Sequence, residues 1–124
     1  MLIRPLLFAL LFACALTASA QVQPPPPPVT AILTTLTIKK EVDRSEVKKI
    51  LPTEVRATVK LYLAGKIQQW WARTDGTGVV FIMNCNTVDE AKQLMNTLPL
   101  AKANLADFEY TSLGPLSPLR LLVE

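Results

Sequence analysis

An α+β domain of order β-α-β-β-α-β is the fold class this sequence predicts, on three observations. Residues 31–39 and 105–113 are strand-like segments near the two ends of one domain. Between Lys66 and Cys85, two more strand-like segments flank Asp75-Gly76-Thr77-Gly78, a strong hairpin signal. Each half of the domain also carries apolar residues three and four apart, the mark of a helix with one buried face.

The elements follow in order. Ala31 to Lys39 sets Ile32, Leu33, Leu36 and Ile38 among threonines with no Gly or Pro, which predicts a first strand. Asp43-Arg44-Ser45-Glu46 is helix-start chemistry, with Asp43 or Ser45 as the cap. Val47, Leu51, Val55, Val59, Tyr62 and Leu63 then read as one apolar stripe, and Pro52 interrupts it. The expectation is a kinked or two-part helix, ended at Gly65 by a left-handed cap.

Lys66–Thr74 and the nearly continuous apolar run Val79–Cys85 form the hairpin; the second strand takes a central position because its apolar run needs cover on both faces. Thr87-Val88-Asp89-Glu90 is a capping-box sequence, after which Ala91, Leu94, Met95 and Leu98 make the buried stripe of a second helix that Pro99 stops. Leu105–Leu113 is the last strand. Gly114, Pro115 and Pro118 lead into an apolar C-terminal extension, Leu119–Val123, which packs on the domain or on a second subunit. Helices cover one face of the sheet, so a second copy is expected on the other, giving a dimeric α/β barrel.

The ends and the composition bound the rest. Residues 1–20 read as an export signal: Arg4 supplies the positive start, an apolar run follows, and Ala18-Ser19-Ala20 is a small-residue cleavage site. That run is too short to span a bilayer stably, so the product after cleavage near Ala20 is expected to be periplasmic or secreted, with no membrane span. Residues 21–28 hold the run Pro24–Pro28, a stiff extended linker, and residues 29–124 form the domain.

Across the 124 residues, 13 Lys and Arg stand against 10 Asp and Glu, scattered rather than gathered on one face, which argues against nucleic acid as a partner. The chain has no His and, once Cys14 is removed with the leader, one thiol, Cys85. Metal ligation is therefore unsupported, and Cys85, at the end of an apolar strand, reads as a small buried hydrophobe.

From Glu54 to Pro118 the chain resembles the muconolactone delta-isomerase family. The landmarks are Glu54, Gly65-Lys66-Ile67, Trp71, Phe81, Ala91 and Leu94, the Leu98-Pro99-Leu100 helix stop, and Phe108-Glu109 before Leu113 and Pro115. The resemblance implies a ferredoxin-like fold, a homodimer or higher homo-oligomer, and cofactor-free proton transfer on a small unsaturated lactone acid.

Moving a double bond beside a carbonyl needs a base for a carbon-bound proton and donors for the enolate. Without His, the base would be a carboxylate raised in pKa by burial or a Lys lowered by it. Glu54, a family landmark near the start of the main helix, is the first candidate; its bland alternative is a first-turn Glu favouring the helix dipole. Glu109 is the second, on a strand face with Asp107 and Thr111, where a carboxylate also marks a solvent side.

Lys66 and Arg73 flank the two tryptophans and could anchor a substrate carboxylate, or serve only as strand-end charges. Trp70 and Trp71 point to opposite faces. Together with Phe81, Met83, Phe108 and Tyr110 they could line a pocket in the barrel for a small hydrophobic or carboxylate-bearing molecule, or simply fill the core. A non-catalytic binding or interaction domain on the same fold stays open beside the isomerase reading.

Overall fold

The computed structural model of the chain describes residues 25–116 and, apart from these, Ala15. The leader with Cys14, residues 21–24 of the linker, and Leu119–Val123 lie outside the described residues. The elements are β1 (Ala31–Ile38), α1 (Arg44–Leu63), β2 (Ile67–Ala72), β3 (Gly78–Met83), α2 (Val88–Met95), the single turn α3 (Pro99–Lys102) and β4 (Ala106–Leu113). All strand pairs are antiparallel, and the sheet order is β2-β3-β1-β4. This is the ferredoxin-like α+β arrangement.

Local chemistry explains the boundaries. Asp43 caps α1 by accepting from the Ser45 N–H at 2.9 Å, and Thr87 caps α2 by accepting from the Glu90 N–H at 3.1 Å. Gly65, at φ 74°, turns the chain out of α1 in the left-handed region where a side chain is disfavoured. The β2–β3 turn is held by Asp75, whose Oδ1 accepts from both the backbone N–H and the hydroxyl of Thr77.

Two expectations about helices change. Pro52 lies inside a single helix of 20 residues, so α1 is one element rather than two parts. Pro99 does not stop the second helix, which already ends at Met95; it opens α3, where its missing N–H costs nothing.

The core sits between the helices and one sheet face. Ile32 and Leu36 of β1 and Phe81 and Met83 of β3 meet Val47 of α1, Ala91 and Met95 of α2, and Leu98 and Leu100 around α3. Thr34, also buried on this face, donates its hydroxyl to the Met83 sulfur at 3.1 Å. The α2 stripe matches its periodicity, but the α1 stripe does not. Only Val47 of the six expected residues is buried, while Leu51, Val55, Val59, Tyr62 and Leu63 are exposed. The inward row is Val47, Ile50, Glu54, Ala57 and Leu61, one position round the helix. Apolar residues fill two adjacent rows of α1, and only one of them reaches the core.

The other sheet face carries Leu33 and Thr35 of β1, Trp71 of β2, Val80 and Ile82 of β3, and Asp107, Glu109 and Thr111 of β4. No element covers it among the described residues. Pro27 and Pro28 pass beside Gly114, just beyond β4.

Gly78 permits the tightest approach in the sheet. It pairs with Thr37, and a Cβ there would overlap the Leu36 carbonyl. Replacing Gly78 by Ala is expected to lower the unfolding free energy by about 1–3 kcal/mol, the usual cost of overpacking, in urea titration. An unchanged midpoint would show that this row shifts without strain.

Candidate active site

Burial on α1 is uneven in a way that opens a space. Between α1 and the helix-facing side of β1, β2 and β3 lies a cavity of about 460 Å³. Leu36, Phe81, Val79 and Leu100 form its inner wall; Leu51, Val55 and Val59, the outward row of α1, form its rim with Trp70. Trp70 is held edge-on against Tyr62, with ring centroids 4.5 Å apart. The apolar stripe read from the sequence is therefore largely the rim of this cavity.

One carboxylate stands in that wall. Glu54 is 6% exposed, and its Oε2 accepts from the Leu100 N–H at 2.8 Å. Its Oε1 is buried with no hydrogen-bond partner among the described residues. The geometry of α3 explains the donor. Leu98 gives no side-chain cap and Pro99 has no N–H, so the Leu100 N–H is the first unsatisfied donor of the turn. Glu54 reaches across from α1 to satisfy it. Burial holds the Glu54 carboxyl above the ordinary Glu range, and the Leu100 N–H draws it part of the way back.

Glu54 is ten residues beyond the first residue of α1, in mid-helix, so a first-turn dipole role does not apply. Thr58 lines the cavity one turn on, and its hydroxyl donates to the Glu54 carbonyl at 2.9 Å.

The structure brings Glu54 and Arg73 to the same cavity and leaves the other expected site residues outside it. Arg73 lines one end, but its guanidinium is engaged: Nη1 donates to the Thr37 hydroxyl at 2.8 Å, and Nη2 lies 3.3 Å from Asp75 Oδ2. Lys66 is exposed in the turn before β2. Trp71 is 63% exposed on the uncovered sheet face, and Glu109 is exposed on that same face, paired with Thr35. Tyr110 lies on the helix side but at the opposite edge, with the Lys92 ammonium 5.8 Å from its ring centroid. Burial pushes its hydroxyl pKa up.

Of the hydrophobic lining expected, Trp70 and Phe81 line the cavity; Trp71, Met83, Phe108 and Tyr110 do not. The cavity also belongs to one chain and lies under α1, not between two uncovered faces.

Sequence reasoning missed Arg44. It lines the cavity at the same end as Arg73 and makes no ion pair or side-chain hydrogen bond among the described residues. The available signal was a cation at the first position of a helix, where the dipole disfavours it. Cys85 is buried and its thiol pKa is raised by that burial, so it is not an activated nucleophile. No cluster that could hold a metal ion occurs among the described residues.

The family model described as muconolactone delta-isomerase matches residues 31–116, from the first residue of β1 to just beyond β4. The chain belongs to that family. Membership in the muconolactone delta-isomerase family covers the whole sheet and all three helices, including β1 and the start of α1, upstream of the landmarks beginning at Glu54. It brings isomerase-like function at the level of the family. No individual curated protein matches the chain significantly. Glu54 and Leu98-Pro99-Leu100, more than forty residues apart in sequence, are joined by the hydrogen bond at the cavity wall.

The raised pKa of Glu54 has a stability consequence. Between the unfolded-chain pKa and the raised folded one, the folded chain holds a proton that the unfolded chain has lost. Stability therefore falls as pH rises through that interval. Glu54→Gln removes this titration. Its stability relative to the parent is expected to rise as pH climbs through the interval and to match the parent in acid, as read by denaturant unfolding across pH. A difference that stays constant with pH would contradict the assignment.

Proposed function

We propose that this chain is a cofactor-free isomerase that shifts a double bond in an unsaturated lactone or aromatic-derived carboxylic acid. Glu54 is its acid and base. The observation that carries the reading is a buried carboxyl with one oxygen committed to the Leu100 N–H and the other free, in the wall of a cavity large enough for a small molecule.

In this reaction the free oxygen takes the proton from the carbon next to the carbonyl, and the bonding pair moves into the enolate. The protonated Glu54 then returns the same proton at the far end of the conjugated system, so no atom or electron is gained or lost overall. Burial serves both halves, since a carboxyl of raised pKa is a stronger base and is also stable when protonated. The Leu100 N–H fixes the carboxyl plane, so the free oxygen needs no reorientation between the two transfers.

A non-catalytic binder on the same fold is the second reading, and one observation favours it. Side chains beside Glu54 are apolar except Thr58, whose hydroxyl already donates to a backbone carbonyl, so no free side-chain donor stands ready for an enolate. Location and assembly complete the proposal. Residues 1–20 support an exported protein that begins near Gln21. The uncovered sheet face, with Leu33, Val80, Ile82 and a largely exposed Trp71, supports a homodimer packed through that face.

Two outcomes test this. Glu54→Gln is expected to lower kcat for double-bond shift in an unsaturated lactone acid by about 10²–10⁴-fold, with no loss of thermal stability. Unchanged turnover would leave only the binding reading. Light scattering of the exported product is expected to give the mass of two chains, and Trp71→Glu the mass of one; a monomeric parent would contradict the dimer.

A further inference from the structure

The cavity is long, and its charge lies at one end. Residues of α1 line it from Arg44 to Val59, which is about 22 Å of helix at the usual rise. Arg44 and Arg73 lie at one end with Ile38 and Gly76; Val59 and Trp70 lie at the other. Glu54 falls between, about 15 Å along the helix from Arg44. Arg73 is engaged with Thr37 and Asp75, whereas Arg44 has no ion pair among the described residues.

A cation at the first position of a helix is disfavoured by the helix dipole and contributes nothing to stability there. Its presence at one end of a largely apolar cavity, whose other polar side chains are Glu54, Thr58 and the already engaged Arg73, is explained by an anion on the ligand.

We propose that the site takes an elongated monocarboxylic acid. Its carboxylate pairs with Arg44, and its apolar body lies along α1 past Glu54 toward Trp70. This deepens the isomerase reading by naming the shape and charge of the substrate, and for the catalytic step it rests on that reading. The acid group sits at the end that holds Arg44, whose exposed planar guanidinium can hold it through two hydrogen bonds. The body replaces water against Leu51, Val55 and Val59, which accounts for an apolar row on α1 that does not reach the core. A second negative group farther along the body would meet only apolar wall and Glu54, so a dicarboxylate is disfavoured.

Saturated probes separate this from catalysis, because they have no double bond to shift. Calorimetric titration of the full exported chain with decanoate, hexanoate and 1-decanol is expected to rank decanoate tightest, by at least about tenfold over hexanoate. Arg44→Gln is expected to weaken decanoate by about tenfold and leave 1-decanol unchanged, and Arg44→Lys to restore part of the loss. Arg44 is an exposed first-turn residue, and the unliganded melting temperature of each variant confirms its fold.

Equal binding of hexanoate and decanoate overturns the proposal, as does an Arg44→Gln variant that binds decanoate normally or loses 1-decanol to the same extent. Decanoate bound as expected beside normal turnover in Glu54→Gln upholds the ligand class while removing the isomerase. Loss of turnover in Glu54→Gln without the expected decanoate pattern does the reverse.

Discussion

A single hydrogen bond between helices organises this molecule: the Leu100 N–H donating to Glu54 Oε2 at 2.8 Å. It ties the middle of α1 to the start of α3 across 46 positions of sequence. The turn of α3 needs an acceptor because neither Leu98 nor Pro99 meets its first free N–H. Glu54 needs a donor because a carboxyl in an apolar wall is costly without one. Each end answers the other's unsatisfied group, and the bond leaves one carboxyl oxygen over. That remaining oxygen, buried and without a partner among the described residues, is the atom on which the proposed acid–base role rests.

The same bond explains this stretch of sequence in physical terms. A Leu-Pro-Leu stop and a Glu forty-odd residues earlier look unrelated in sequence. Proline at the first helical position removes one N–H and leaves the next as the donor, so the motif specifies where the carboxyl must come from. The cavity is the other half of the arrangement. A well-packed core leaves few voids larger than a water molecule. A half-open space of about 460 Å³ lies instead under a helix whose outward row is apolar, with Leu51, Val55 and Val59 at its rim and not in the core.

The fold was legible because its signals are local. The Asp75-Gly76-Thr77-Gly78 turn, the Asp43 and Thr87 caps and the Gly65 stop each rest on neighbouring backbone groups, and all four form as read. Strand alternation also separated Trp70 from Trp71, and Tyr110 from Glu109, correctly. The site was legible only in part. Glu54 stood out through the family pattern, yet its surroundings depend on which of two apolar rows of α1 turns inward, and spacing alone does not decide between adjacent rows. Residues of β2 and β4 were pooled into one pocket although β3 and β1 lie between them, a separation of about 14 Å. Arg44 is not legible in sequence, because its lack of an ion pair among the described residues is a fact of the fold that no sequence pattern records.

Carbon-13 NMR titration of the Glu54 side-chain carboxyl, assigned by comparison with Glu54→Gln, reads the state of that oxygen pair directly. Its midpoint is expected above the ordinary glutamate value, with a further shift when a hydrophobic acid occupies the cavity. A midpoint at the ordinary glutamate value, unmoved by ligand, would mean that Glu54 is an ordinary hydrated carboxylate and that the cavity has no base.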